Sequence, residues 1–246
     1  MEALDPSYIF IGLSIFLLGV SKGGFGGIGG SVALPLMTLA VDPSFALGAL
    51  LPILMAADII SVGAHRKHAD FKTIYYALPA AVVGVVLGAA LIAVISKDAI
   101  ALSIGVISIA FAYFALTGAK IDISKMPSWT SALAGALSGF TSSLAHAGGP
   151  PIQIYFLAKG YSTQQFVATS AVFMAGINLI KVIPFIVVGA LNTKALILAA
   201  ILAPFAMISA YIGVIIARRI SAGMFKILVN SLLIIAGTKL ILDSVF

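Results

Sequence analysis

Four ionisable side chains stand where a very apolar chain should not tolerate them. Lys22, Asp58 and Lys181 fall inside long hydrophobic runs, and His146 falls inside a run of small residues, glycine and proline. A charge at membrane depth costs at least about 2.5 kcal/mol on insertion scales, so each must face a partner or a water-filled cavity. Lys22 supplies a cationic contact for an anion, or else it pairs with Asp58 or reaches for the interface. Asp58 is either a proton-carrying carboxylate or the structural partner of a cation. His146 titrates near neutral pH, which suits proton coupling, although backbone carbonyls would satisfy it equally well. Lys181 lies three residues beyond Asn178, on one helix face, so both could aim at a common cavity; pairing of Lys181 with Asp58 is the alternative.

Around these residues the backbone is built to break. Gly19 to Gly30 contains seven glycines in twelve residues, including Gly23, Gly24, Gly26, Gly27, Gly29 and Gly30. About 120 residues later Gly139 to Pro151 carries Ser142, Ser143, His146, Gly148, Gly149, Pro150 and Pro151. Glycine loses too much entropy, and proline lacks the N–H, for either stretch to hold a regular helix. Broken backbone survives at membrane depth only where protein or a cavity satisfies it. A second limb starting at Ser31, and another at Pro150-Pro151, would present free N–H groups and a partial positive charge to an anion. Ser31, Thr141, Ser142, Ser143 and Gln153 are hydroxyl or amide donors able to wrap oxyanion oxygens, or to bond the backbone instead. The plain alternative for the glycines is close helix packing of the GxxxG kind.

The elements that position these groups follow from composition. The chain has 246 residues, 61% hydrophobic and 9% charged, with mean hydropathy +1.19. A soluble domain carries roughly 25% charged residues, so the composition excludes an ordinary globular protein. The apolar runs are long and continuous, unlike the short alternating strands of a membrane β-barrel. A cleavable signal is not expected from Met1 to Pro6, which carries Glu2 and Asp5 where a basic leader would sit. With no cysteine there are no disulfides and no thiolate chemistry. The Gly-rich segment lacks a Gly-Lys-Ser/Thr ending, so no nucleotide is expected; neither is a metal, a cofactor or nucleic acid.

From Pro6 to Val41 the only charge is Lys22. Residues 7–21 would rise about 22 Å and 31–41 about 16 Å, which suits a hairpin that dips into the bilayer and turns in the glycines. Spanning helices are predicted over 44–64, 73–95 and 99–118. A linker over 120–127 leads to a second hairpin over 128–158 and helices over 163–188, 195–217 and 222–243. A shift of 120 places Gly139 on Gly19, Gly149 on Gly29 and Asn178 on Asp58. The expected fold is therefore an all-α polytopic membrane protein of two repeats, 1–119 and 128–246. Each repeat is a broken re-entrant hairpin followed by three transmembrane helices.

The net charge of +6 reads as loop charge. With Arg66, Lys67 and Lys72 placed in the cytoplasm, Lys120, Lys125, Lys159, Arg218 and Arg219 also fall inside, while Lys97 and Lys194 fall outside. Eight basic loop residues against two fix that orientation. Three crossings plus a hairpin per half then make the repeats inverted, with the two breaks approaching the midplane from opposite sides.

With Leu34-Pro35-Leu36 after the first Gly-rich segment, the Ser/Gly/Pro-rich second segment and the tandem repeat, the chain resembles the TauE/SafE family over essentially its whole length. It departs from the richest family pattern at Lys22 and at His146-Ala147-Gly148-Gly149-Pro150. The resemblance implies a secondary carrier in the plasma membrane for sulfite, organosulfonates or another small anion, working by alternating access with proton coupling left open. An anion channel, and an intramembrane hydrolase using Ser142 or Ser143 with His146, are the alternatives. A homodimer is left open.

Overall fold

The structure is a computed structural model that describes residues 6–27, 30–117, 129–217, 219 and 222–245. All regular structure among them is helical. Gly29, the linker 120–127, Glu2, Asp5 and Arg218 lie outside the described residues.

Helix α1 (Pro6–Gly24) ends in the first break. A 3-10 turn at Gly30–Val32 leads into α2 (Ala33–Thr38). Helices α3 (Pro43–His65), α4 (Phe71–Val94) and α5 (Lys97–Thr117) complete the first half. Helix α6 (Trp129–Ala145) enters the second break, α7 (Gly149–Ala158) leaves it, and α8 (Thr163–Val187), α9 (Thr193–Ile216) and α10 (Ala222–Val245) follow. Polar residues set the starts. Asp42 accepts from the N–H groups of Ser44 and Phe45 at 3.0 and 3.2 Å, with Pro43 in the first turn of α3. Asp70, Ser162 and Asn192 cap α4, α8 and α9 in the same way.

Among the described residues six helices, α3, α4, α5, α8, α9 and α10, are long and apolar enough to cross a membrane, three in each half. Their outward faces carry large apolar side chains, among them Val83, Val94, Leu179, Ile183, Ile201 and Ile235, which in water would form an aggregating surface and in lipid are at home. The second limbs of the hairpins are short. The 3-10 turn and α2 together rise about 15 Å, and α7 about 15 Å, half a bilayer each.

Each hairpin is gripped by the other half: α1 packs on α9, and α6 packs on α4. Helix α3 packs on α8 and α9, α4 on α8, and α5 on α10. Exchanging α1–α5 for α6–α10 maps this pattern onto itself. The crossings are closed by glycine. A Cβ built at Gly23 would stand 1.8 Å from the Ala210 carbonyl oxygen, and one at Gly84 would stand 1.9 Å from that of Ala136. The apolar centre is built on α3, whose Leu47, Leu50, Leu51 and Ile53 are fully buried with Ile15 and Leu18 of α1.

Ion pairs locate the hairpin exits. Asp42, just after α2, pairs with Lys97 at 2.7 Å, whereas Lys159, just after α7, pairs with Asp70 at 2.9 Å. Helix α3 separates Asp42 from Asp70 by about 34 Å, so the two hairpins leave the bundle at opposite ends.

Candidate functional site

The two breaks share a backbone hydrogen bond at matching positions. The N–H of Gly27 bonds the Ser21 carbonyl at 3.0 Å, and the N–H of Ala147 bonds the Thr141 carbonyl at 3.3 Å. In each, an N–H reaches back six residues across a left-handed turn that ends the helix. The first break turns at Gly26 (φ 63°) and Gly27 (φ 79°) and the second at His146 (φ 50°), with Gly26 and His146 120 positions apart. A left-handed non-glycine residue costs roughly 1–2 kcal/mol, so the second break carries a histidine where glycine would be the relaxed choice. Both limbs begin differently from expectation. The first starts as a 3-10 turn at Gly30, and α2 has six residues. The second starts at Gly149, so that Pro150 and Pro151 occupy the next two positions and strip α7 of two N–H donors.

Between the breaks lies a cavity of about 20 Å³, room for about one water molecule. Its wall contains Lys22, Gly26, Gly27, Gly30, Ser31, Asp58, His146, Gly149 and Asn178. The other sequence candidates stand around it. Gly23 and Gly24 face the backbone of α9 and serve the packing role. Gly148 is pressed against the Ser138 carbonyl and Ser142. Ser143 donates to the Val85 carbonyl at 3.1 Å. Gln153 reaches across the site from α7 and donates to the Gly26 carbonyl at 2.8 Å, tying one hairpin to the other. Pro150, half-buried, begins α7 behind Gly149.

The charged groups are arranged in two sets. Lys22 forms a buried ion pair with Oδ1 of Asp58, and Oδ2 of Asp58 accepts from Asn178 Nδ2 at 2.6 Å. Asp58 and Asn178, which the repeat superposes, therefore touch. Lys181 contacts His146 Nδ1 at 2.7 Å and donates to the Ser142 carbonyl at 3.2 Å; Asp58 pairs with Lys22 instead. His146 Nε2 meets the Leu47 carbonyl at 2.9 Å.

Sequence reasoning missed Ser61, whose hydroxyl donates to the Lys22 carbonyl at 2.6 Å. Ser61 is the positional counterpart of Lys181, and Lys22 that of Ser142. The bond from Ser61 to Lys22 is thus the counterpart of the bond from Lys181 to Ser142, with lysine and serine exchanged. The signal was present at the offset of 120, but serine in an apolar helix attracts no notice alone. Ser170, Leu54, Ala171 and Met174 in the wall were also missed.

Both ring nitrogens of His146 are engaged by Lys181 and Leu47, and Ser143 is engaged by Val85. No serine–histidine dyad forms, so the hydrolase alternative lacks an activated nucleophile.

At the Lys159 end, Asp70 accepts from Tyr161 OH at 2.5 Å, Thr73 Oγ1 at 2.8 Å and Thr73 N–H at 3.1 Å, besides pairing with Lys159. Burial alone would raise its pKa. Hydrogen bonds from Tyr161, Lys159 and Thr73 outweigh that and hold the carboxyl far below the usual range. A depressed folded value stabilises fully above the unfolded value of 3.8, and the contribution is lost as pH falls through the folded value. Melting in detergent should therefore show a constant gap between wild type and Asp70→Asn from neutral pH down to about 4, narrowing only in stronger acid. A gap that closes at neutral pH would show that the carboxylate contributes nothing.

An apolar bundle whose charges are folded inward around two helix breaks is the construction of a multi-pass membrane transporter. The sequence model of the sulfite exporter TauE/SafE family matches residues 11–240, and the chain belongs to that family. It is a family of membrane transporters rather than enzymes. No curated protein and no solved structure matches the chain.

Proposed function

We propose that the chain is a secondary carrier for a small sulfur-containing oxyanion, sulfite or an organosulfonate, in the plasma membrane. The carrying observation is the buried cluster of Lys22, Asp58, Lys181 and His146 at the meeting of two half-membrane hairpins, in a chain of a sulfite exporter family. Two lysines against one carboxylate leave the site short of negative charge, and the glycine-lined wall lets a solute approach the backbone. The chain is read as two inverted repeats, 1–119 and 128–246, joined by the linker 120–127. The exits of the hairpins at opposite ends, and the exchange symmetry of the helix contacts, support that reading. So does the loop charge, which puts the Asp70–Lys159 end in the cytoplasm. Alternating access then consists of one hairpin loosening from the site while the other stays docked. Gly30, Ser31, Gly149, Ser170 and His146 would meet the anion.

The test is flux of labelled sulfite in proteoliposomes. Wild type should give saturable flux. His146→Gly keeps the left-handed break, and relaxes it, while removing the imidazole; it should still insert and fold, the relaxed backbone offsetting part of the hydrogen bonds lost by Lys181 and Leu47, yet carry sulfite at least about tenfold more slowly. Wild-type flux in His146→Gly would remove His146 from the site, and linear, unsaturable flux in wild type would favour a channel.

A further inference from the structure

The hydrogen-bond directions in the cavity wall specify more than negative charge. A carboxylate can only accept, so the Asn178 amide must turn its NH₂ toward Asp58 and its Oδ1 away. That Oδ1 is a buried acceptor with no partner, on a residue 1% exposed in the cavity wall. Two turns earlier on α8, Ser170 is fully buried in the same wall with its hydroxyl likewise unpartnered. The serine can donate to an oxyanion oxygen. The asparagine oxygen needs a donor in return, which a fully deprotonated oxyanion does not have. An unmet acceptor of this kind is penalised on binding.

Charge leads to the same occupant. Lys22 and Asp58 form a neutral pair. His146 Nε2, opposite a carbonyl oxygen, must carry a hydrogen and donate it to Leu47. If the ring is neutral, Nδ1 accepts from Lys181; if the ring is protonated, Nδ1 donates and Lys181 must be a neutral amine to accept. Lys181 and His146 therefore hold at most one positive charge between them. Among the described residues Lys22, Asp58 and His146 are the titratable groups that line the cavity, with Lys181 bonded to His146 beside it. The site offers a net charge of at most one, which matches a monoanion; a dianion would bury excess negative charge.

We infer that the carrier recognises its substrate as a protonated monoanion, with one negative charge and one O–H donor directed at Asn178 Oδ1. For sulfite this is hydrogensulfite, not the dianion, and of the two substrates proposed it selects sulfite over an organosulfonate that lacks an O–H. This rests on the anion-carrier reading and deepens it: the proton crosses on the substrate, and no side chain has to change its protonation.

The experiment compares three unlabelled anions at mildly acid pH. Hydrogenselenite is a monoanion with an O–H, methanesulfonate a monoanion without one, and sulfate a dianion. Each is measured as a competitor of labelled sulfite flux and, independently of flux, as a thermal stabiliser of the detergent-purified protein. In wild type, hydrogenselenite should outcompete methanesulfonate by about tenfold, the effect of one unmet buried acceptor, and sulfate by more. In Asn178→Ala the preference for hydrogenselenite over methanesulfonate should fall to near unity while sulfate stays excluded. Methanesulfonate or sulfate binding as well as hydrogenselenite to wild type overturns the inference, whatever the variant does. Selective stabilisation without any sulfite flux supports the inference and overturns the carrier reading; flux with no selectivity does the reverse.

Discussion

Asp58→Ala should destabilise the protein by about 3–5 kcal/mol, and adding Lys22→Met should restore much of that loss without restoring transport. Lys22 and Asp58 are 5% exposed each, so removing the carboxylate leaves an ammonium with neither water nor counter-charge. Asn178 Nδ2 loses its acceptor at the same time. Replacing both charges, as in Lys22→Met with Asp58→Ala, removes the uncompensated ion and leaves the orphaned amide, worth about 1–3 kcal/mol. Melting in detergent should rank wild type first, the double variant next and Asp58→Ala last. Sulfite flux should be absent from both variants. A double variant that melts like wild type and also transports would reduce the ion pair to scaffolding.

Gly84→Ala should lower stability by about 3 kcal/mol, while Gly63→Ala should leave it unchanged or raise it by up to about 1 kcal/mol. The new methyl at Gly84 would stand 1.9 Å from the Ala136 oxygen and 2.8 Å from the Phe140 nitrogen, both backbone, so no rotamer can yield. Helix α6 must move off α4 by about an ångström, carrying Ser143 away from Val85 and shifting the second break. Gly63 has nothing within 4 Å, and alanine there simply favours helix. Equal melting temperatures for the two variants would mean that the α4–α6 crossing is not tight. The same steric logic applies where Gly23 meets Ala210 on the other hairpin.

The helices were legible because each carries its own start signal, such as Asp42-Pro43 for α3 and Asn192 for α9, and an apolar run of spanning length. The breaks were legible because glycine and proline act locally. The division of labour among the glycines was not. Gly23 and Gly24 look like Gly26 and Gly27 in sequence, and only the crossing with α9, nearly 190 residues on, turns the first two into packing surfaces and leaves the others on the cavity. The Lys22–Asp58 pair stood among the sequence readings. Of the two readings of Lys181, the pairing with Asp58 does not form, because Lys22 occupies one oxygen of Asp58 and Asn178 the other. That competition is decided in three dimensions, where Lys22 on α1 and Asn178 on α8 take both oxygens.

The contact between Asp58 and Asn178 bears on how such a chain could arise. Two identical halves related by a two-fold axis would set each axial residue against its own copy. Two Asp58 carboxylates would then repel, or share a proton, and two Asn178 amides would leave both lysines without a counter-charge. A single polypeptide frees the facing positions to differ, here as acceptor and donor. It equally frees Lys22 with Ser61, and Ser142 with Lys181, to carry their cation on opposite helices. A dimer reassembled from two copies of either half should keep the helices and lose the centre.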